Sequence, residues 1–374
     1  MERTFLDSGG RAPVHPIARD AYLAALDDGW ADPRRLHAEG RRARLLLDAA
    51  RETLAEALGA RPQEIHLTPS HTAGLHRAVA GVARARRRVG NRAVVSAVER
   101  GAVLAAARTL GSPESVVPVD RSGRVELEAW QAALTPDVAV AALQHANGEV
   151  GTLQPTIAAH EATQRVGVPL LVDAGASVGH VPVEAAWDLL AADPGDWGGL
   201  PGVAVIAVRS RVRTSHDGPE DEDPWAPGGV SVPAAVAAAA SLRAVLAEAS
   251  EPDPRRGMVD RIRARVAAEV PDVEVVGDPD ARLPHVVTFS CLYVDGEALV
   301  AELDRRGLAI GSGSACTSSS LEPSHVLAAM GVLTQGNVRV TLPRGSGPQA
   351  VERLCDALPG AVAHVRGLAG ALDL

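Results

Sequence analysis

Short apolar runs alternate with helix-forming stretches between residues 64 and 208, and this alternation constrains the fold more than any other feature. The apolar runs cover residues 93–98, 138–143, 169–172 and 203–208, and helices are predicted at 100–110, 125–134 and 156–164. Strands that are apolar along their whole length are buried on both faces, and parallel strands need helical crossovers between them. The sequence therefore predicts an α/β fold with a mostly parallel sheet.

The alternation ends at a polar segment, residues 209–229, which carries four consecutive acids at 220–223. An alanine-rich helix is predicted from about residue 232 to 250, ended by Pro252 and Pro254. The remaining chain predicts a compact α+β unit with strands at 273–276, 285–290 and 338–342. A chain of 374 residues exceeds one typical core. We expect a large domain over residues 15–250 and a small domain from residues 1–14 and 251–374.

Charge and hydropathy exclude several classes of protein. A net charge of -9 argues against nucleic acid as a primary partner. No stretch is long and apolar enough to cross a membrane, and the first residues lack the basic and apolar regions of a secretion signal. A cytoplasmic location is expected. The three cysteines, Cys291, Cys316 and Cys355, are too few for a disulfide framework, so we expect free thiols.

A cysteine motif near the C-terminus is the most specific pattern in the chain. Residues 313–318 read Gly-Ser-Ala-Cys-Thr-Ser and are followed by Leu-Glu-Pro-Ser at 321–324. The motif closely resembles the catalytic-cysteine loop of the NifS-type cysteine desulfurases, a branch of the fold-type I (class V aminotransferase) enzymes that use pyridoxal phosphate (PLP). Residues 144–151, 171–174 and 337–344 resemble further motifs of that family. The resemblance implies a fold-type I large domain, a smaller α+β domain and a homodimer.

The chain contains no lysine, and all 37 of its basic side chains are arginines. In the resembled family a lysine bonds covalently to PLP, and the flanking residues place Asp196 at that position. A carboxylate cannot form this bond, and no other lysine can take its place. We therefore expect that no cofactor is used, with PLP lost or at most bound non-covalently.

Other positions that contact PLP in the family also differ here. Arg100 stands at the position of the ring-stacking histidine, and of the phosphate-binding turn only Thr72 is kept. The acids at 220–223 correspond to a basic phosphate-binding loop, and carboxylates would repel a phosphate. We expect Arg100 and Asp196 to pair inside a vacated PLP pocket.

Several family residues are retained. The resemblance assigns Asp173 to the pyridine nitrogen, Asn147 to the same vestigial PLP pocket, Arg339 to the substrate carboxylate, and Cys316 to the nucleophile. A guanidinium binds a carboxylate through two parallel hydrogen bonds, which suits Arg339 to its role, and a structural ion pair within the chain is the alternative for this side chain. A thiol is reactive as a thiolate, so Cys316 is expected to carry a persulfide or to bind a metal cluster.

Three functions remain open on these grounds, and whether the chain is an enzyme stays open with them. The first is a pseudoenzyme of sulfur trafficking that works without PLP. In it, Cys316 accepts a persulfide from a true desulfurase and passes it to an acceptor, or supplies a ligand to an iron–sulfur cluster on a scaffold protein. The second is a non-catalytic paralogue that binds and regulates such a partner. The third is an enzyme of altered chemistry acting on an amino acid held by Arg339.

Overall fold

The computed structural model describes residues 3–111, 113–249, 252–312, 323–368 and residue 370. The strands are β1 Thr4–Phe5, β2 Ile65–Thr68, β3 Arg92–Ser96, β4 Ser115–Val117, β5 Val138–Gln144, β6 Leu170–Asp173, β7 Leu189–Ala192, β8 Ala204–Val208, β9 Val273–Val276, β10 Val286–Cys291, β11 Leu308–Ala309 and β12 Asn337–Thr341. The helices are α1 Pro16–Asp28, α2 Ala38–Leu58, α3 His71–Ala85, α4 Gly101–Arg108, α5 Leu127–Ala133, α6 Thr156–Val166, α7 Val232–Ala247, α8 Pro254–Glu269, α9 Gly296–Arg305, α10 His325–Met330 and α11 Pro348–Leu368.

A seven-stranded sheet forms the centre of the molecule, with the strand order β2-β8-β7-β6-β5-β3-β4. The neighbours from β7 through β6, β5 and β3 to β4 all pair in parallel. Strand β8 runs antiparallel to both β7 and β2. All seven residues of β5 are buried, because helices cover both faces of the sheet. The predicted α/β fold with a mostly parallel sheet is confirmed.

Helix α7 lies against α1 and α2. Its alanines allow this close packing, and ten of its residues are buried. It ends at Ala247, three residues before the predicted end, with Glu248 at its C-cap. Pro254 does not end this helix: it is the first residue of α8, where proline's missing N–H costs nothing.

The two ends of the chain meet in a second hydrophobic core. Strands β12, β10 and β9 form an antiparallel sheet in that order, and β1 pairs in parallel with β11. Leu6 is fully buried among residues such as Phe289 and Leu354. The division into domains at about residue 250 stays a prediction. None of the helices in the described ranges is long and apolar enough to span a membrane.

Candidate functional site at the carboxyl ends of the strands

The residues of the predicted pocket follow the carboxyl ends of neighbouring strands. Arg100 follows β3, Asn147 follows β5, Asp173 is the last residue of β6, and Asp196 follows β7 in a short 3-10 turn at Pro194–Trp197. These four strands are adjacent and parallel, so their carboxyl ends meet at one edge of the sheet. The fold therefore brings together residues that are about 100 positions apart in the sequence.

Asp173 is the buried centre of this site. Its Oδ1 accepts a hydrogen bond from the backbone N–H of Gly175 at 2.9 Å and lies 2.8 Å from Nε2 of His71. Its Oδ2 lies 2.8 Å from Nε of Arg100. Burial by itself would raise the pKa of Asp173, but Arg100 and His71 outweigh burial and hold that pKa well below its usual range. The carboxylate is therefore ionised at neutral pH.

Arg100 pairs with Asp173. The expected pair between Arg100 and Asp196 is not formed. The reason lies in the strand order, because Asp173 ends the strand that lies nearer to β3 than β7 does. The charge of Asp173 raises the pKa of Arg100. The side chain of Arg100 remains 37% exposed.

Asp196 lies beside the N-terminal segment. Its Oδ1 accepts a hydrogen bond from the backbone N–H of Gly10 at 2.8 Å. Within the described part of the chain its Oδ2 has no hydrogen-bond partner, and Nε2 of His180 lies 3.9 Å away. Burial raises the pKa of Asp196 to about 6, so a fraction of the side chain is protonated near neutral pH.

His180 supports Asp196 from the other side. Its ring stacks on His285 with 3.9 Å between centroids, and burial lowers the pKa of both histidines well below the usual range. Nδ1 of His180 lies 3.2 Å from Nη2 of Arg255, which can only donate, so the ring proton is on Nε2. That proton is donated to the backbone oxygen of Asp196 at 3.1 Å.

Asn147 holds its own loop in place. Its Oδ1 accepts from the backbone N–H groups of Glu149 and Val150 at 2.8 and 2.9 Å, and its Nδ2 donates to the backbone oxygen of Val98 at 3.2 Å. These bonds use most of the amide's capacity, which leaves little for a ligand. Thr72 is exposed at the second residue of α3.

Arg339 lies in β12 and faces the pocket from the smaller sheet. Its Nη2 lies 3.3 Å from Oδ1 of Asp7, and its Nη1 lies 3.4 Å from the backbone oxygen of Gly148. Both distances are at the long end for hydrogen bonds. Its Nε is buried and has no partner within the described ranges. The guanidinium therefore retains hydrogen-bonding capacity for a ligand.

The acidic segment at 220–223 is paired with arginines of the α1–α2 connection and α2. The pairs are Asp221 with Arg34 at 3.3 Å, Asp223 with Arg51 at 3.5 Å and Glu222 with Arg44 at 3.8 Å. Three of the four carboxylates thus have a counter-charge within the chain. The expected repulsion of a phosphate by this segment is correspondingly reduced.

Sequence reasoning did not identify His71 or His180 as site residues, because neither belongs to a recognisable spacing. His71 is the first residue of α3 and reaches Asp173 only because β2 and β6 share one sheet. Cys316, the predicted nucleophile and metal ligand, lies outside the described residues. Over the residues that are described, no group of His, Cys, Asp and Glu side chains is arranged to hold a metal ion.

Comparison with known proteins places these observations in a family. The sequence profile described as "Aminotransferase class-V" matches residues 4–354. The chain is 33% identical to a cysteine desulfurase of Cereibacter sphaeroides over 98% of both chains, and 34% identical to an IscS-like cysteine desulfurase of Mycobacterium tuberculosis over 97% of both. Among solved structures, a NifS-like protein superposes with a TM-score of 0.89 at 23% identity, covering 97% of this chain and 100% of that one.

The prediction that this chain uses no cofactor is wrong in the light of these matches. The similarity extends over nearly the whole chain to cysteine desulfurases, enzymes that normally use PLP. Two arguments against PLP, the altered contacts of the pocket and the repulsion by the acidic segment, are also weaker than expected. Asp173 is in place and ionised, and the acidic segment is largely neutralised by arginines.

The residues of the pocket fit PLP in one respect and not in another. Asp173 is the carboxylate suited to a protonated ring nitrogen, although in this structure His71 and Arg100 contact its two oxygens. A covalent link through a lysine is not available, because the chain has no lysine. The sequence thus excludes that link and does not exclude the cofactor.

Fold, pocket position and sequence similarity agree. The central sheet has the α/β architecture of the NifS-like structures, and the pocket lies at the carboxyl ends of its strands. The profile match and the curated relatives cover almost every described residue. This chain belongs to the class-V aminotransferase family, and its relatives there are cysteine desulfurases.

Proposed function

We propose that this protein acts in sulfur transfer and that Cys316 carries the sulfur. The observation that carries the proposal is the state of the other two thiols. Cys291 and Cys355 are 0% and 2% exposed, and burial raises the pKa of each to about 11. A thiol with such a pKa stays protonated and unreactive at neutral pH. Sulfur chemistry in this chain therefore falls to Cys316, which the resemblance also identifies as the nucleophile.

The proposed reaction is exchange between a thiolate and a persulfide. The Cys316 thiolate attacks the terminal sulfur of a donor persulfide, and the donor leaves as its own thiolate. A thiolate of the acceptor then removes the same sulfur from Cys316. No net oxidation occurs in either step. A desulfurase is the proposed donor, a sulfur-acceptor or scaffold protein the proposed acceptor, and the proposed form of this chain is a cytoplasmic homodimer.

The pocket residues have separate roles in this proposal. Arg339 binds the α-carboxylate of an amino acid through its free guanidinium donors. Asp173 is the residue that would hold the ring nitrogen of PLP, which when bound supplies an electron sink for carbanion chemistry. Asp196, partly protonated near neutral pH, can give or take a proton at its unpartnered Oδ2.

Persulfide loading of variants in which one cysteine is replaced tests the proposal. The protein is incubated with a persulfide-carrying desulfurase and cysteine, alkylated, and analysed by peptide mass spectrometry. We expect a 32-Da addition on the Cys316 peptide, its loss in Cys316→Ser, and no change in the matched control Cys355→Ser. Loading that is equal in all three proteins would refute the role of Cys316.

A second candidate function is favoured by the buried oxygen of Asp196. A buried, unpartnered carboxyl oxygen that feels the charges of Arg100 and Arg339 is an arrangement suited to acid–base chemistry on a bound amino acid. The protein would then be an enzyme of altered chemistry that acts on an amino acid held by Arg339. Turnover of an amino acid that persists in Cys316→Ser and is lost in Asp196→Asn would support it over sulfur transfer.

A further inference from the structure

A groove of about 720 Å³ lies beside the exposed face of α3. It shares no described lining residue with the site around Asp173. Small residues of the helix, Ala80, Gly81 and Ala83, line it and keep it open. Its volume falls within the roughly 300–1,000 Å³ that small-molecule sites occupy, so the groove can hold a ligand of nucleotide size.

Two of the segments that line the groove are held by hydrogen bonds. The backbone N–H of Ser215 donates to the backbone oxygen of Gly81 at 2.9 Å, and a Cβ on Gly81 would lie only 2.8 Å from Cε1 of His216. Elsewhere in the groove, Nδ2 of Asn91 donates to the backbone oxygen of Leu110 at 2.9 Å. A groove that is already formed costs a ligand little ordering free energy.

Three arginines of α3 and of the turn that follows it line the groove. Arg77 and Arg84 are seven residues apart, so they lie on one face of the helix, about 10 Å apart along its axis. Nη1 of Arg77 donates to the backbone oxygen of Pro224 at 2.8 Å, which is an uncharged acceptor. Arg87 is exposed, and its guanidinium has no hydrogen-bond or ion-pair partner among the described residues.

One carboxylate lines the groove within the described part of the chain. It belongs to Asp217, which pairs with Arg84 although the two side chains are 81% and 39% exposed. An ion pair this open to water is weak, so an anion in the groove can replace it. The carboxyl end of α3 adds about half a negative charge. The three guanidinium groups therefore leave a surplus of about 1.5 positive charges.

Four acids close to the groove have counter-charges of their own. Each is paired with an arginine that does not line the groove, so these pairs are neutral in sum and leave the surplus unchanged. The pairs are Asp223 with Arg51 at 3.5 Å, Asp188 with Arg211 at 2.7 Å, Asp137 with Arg92 at 3.1 Å and Glu114 with Arg108 at 3.5 Å.

We propose that this groove binds a small anion with two linked phosphate groups, either free diphosphate or the diphosphate of a nucleotide. Guanidinium groups bind phosphate oxygens through paired hydrogen bonds. A diphosphate offers more charge and more acceptor oxygens than a single phosphate, so three guanidinium groups at one groove favour it. The proposal goes beyond sulfur transfer and depends neither on Cys316 nor on Asp173.

Calorimetric titration of the purified full chain at low salt tests the proposal. Diphosphate is compared with orthophosphate, and we expect it to bind about tenfold more tightly or better, with an affinity that falls as salt is added. ADP that binds more tightly than diphosphate would identify a nucleotide as the source, and ADP that binds no more tightly would identify the free anion. Equal affinities for diphosphate and orthophosphate, or no binding of either, would overturn the proposal.

Three variants locate the bound anion. Arg87→Gln removes a guanidinium that has no partner in the described chain, so the fold should be unaffected and the affinity for diphosphate should fall about fivefold or more. Arg165→Gln, at an exposed arginine on α6, is the matched control and should bind like the unaltered chain. Arg100→Gln should also keep its affinity for diphosphate. An affinity that falls in Arg100→Gln and is unchanged in Arg87→Gln would place the anion in the other pocket and refute the assignment.

An acidic segment of a partner protein is the competing occupant of the groove. A short polyglutamate peptide is titrated into the same protein and into Arg87→Gln. We expect the peptide to bind more weakly than diphosphate, because its charges are spread along a flexible chain that must be ordered. Peptide binding that is tighter than diphosphate binding and weakened in Arg87→Gln would make the groove a protein-docking surface instead.

Discussion

At the scale of single residues, the pocket holds two carboxylates in opposite states. Asp173 lies between a guanidinium and an imidazole, and these neighbours keep its pKa below the usual range. Asp196 has one backbone donor and an oxygen without a partner in the described chain, and burial raises its pKa to about 6. Two acids with separated pKa values suit one site to both holding a charge and moving a proton.

Asp196→Asn is predicted to stabilise the protein at neutral pH. Because the pKa of Asp196 is raised in the folded state, its favourable contribution is complete below the unfolded pKa near 3.9 and is lost as pH rises through about 6. Asparagine keeps the acceptor for Gly10 and is uncharged at every pH. We expect the free energy of unfolding to rise by about 1–3 kcal/mol at pH 7.5, with no gain at pH 4.

Urea unfolding at the two pH values measures this difference. Asp27→Asn, at an exposed carboxylate on α1, is the matched control and should change stability little at either pH. The prediction would be contradicted if Asp196→Asn lowered the free energy of unfolding at pH 7.5, or raised it less at pH 7.5 than at pH 4.

Asp173→Asn is predicted to act in the opposite direction. The asparagine can still accept from Gly175, but Arg100 loses its counter-charge. The pKa of Asp173 is lowered in the folded state, so its contribution is present above the unfolded pKa and is lost as pH falls through the folded pKa. We expect a loss of about 2–4 kcal/mol that is constant between pH 6 and 8 and shrinks below pH 4, measured by urea unfolding. A loss that grows with acidification would disprove the electrostatic cause.

At the scale of elements, α3 lies unusually close to the sheet. A Cβ on Gly74 would lie 2.8 Å from Cδ1 of Ile206 in β8 and 2.9 Å from Oγ1 of Thr68 in β2. Gly74 therefore allows α3 to approach β8 and the edge strand β2. This approach also places His71, three residues earlier on the same helix, against Asp173.

Gly74→Ala and Gly257→Ala are predicted to change stability in opposite directions. At Gly74 the added methyl overlaps two neighbours, and we expect a loss of about 1–3 kcal/mol. Gly257 lies in α8, is exposed, and has nothing within 4 Å of the added carbon. There the substitution should add about 0.4–1 kcal/mol, because alanine loses less chain entropy in a helix. Thermal unfolding of the two variants checks both signs, and a stabilising Gly74→Ala would refute the close approach.

The elements were largely predictable, and the contacts between them were not. Predicted strands at 93–98, 138–143 and 273–276 match β3, β5 and β9 to within two residues, because buried strands are apolar along their length. The resemblance brought Arg100, Asp173 and Asp196 into one pocket. It did not predict the ion pair between Arg100 and Asp173, because that pair depends on the spatial order of β3, β5, β6 and β7.

At the scale of the whole molecule, both described cysteines belong to the second hydrophobic core, where the two ends of the chain meet. Cys291 ends β10 and Cys355 lies in α11, and each packs among apolar side chains of that core. Neither thiol reaches solvent unless the smaller sheet and its helices separate. Reaction of these thiols therefore reports the opening of this part of the fold.

Thiol labelling of Cys316→Ser is predicted to be silent in the native protein. With Cys291 and Cys355 buried and their pKa values raised to about 11, we expect no reaction with Ellman's reagent over minutes at pH 7.5 and two equivalents in 6 M guanidinium. Cys355→Ser in the same background should leave one equivalent after unfolding. Fast native labelling of either thiol would mean that the second core opens readily.

The N-terminal strand has a consequence for how the chain is made. Thr4 and Phe5 pair with Leu308 and Ala309, and the backbone oxygen of Leu6 accepts from Thr341. On the ribosome these partners appear about 300 residues after the strand itself, which corresponds to roughly 15–60 s of translation. Throughout that interval the core around Leu6 is incomplete, and the segment that carries Gly10 is not yet anchored by its partner strands beside Asp196. The pocket can therefore be completed only near the end of synthesis, and a ribosome stalled before residue 308 would hold a chain with an unfinished site.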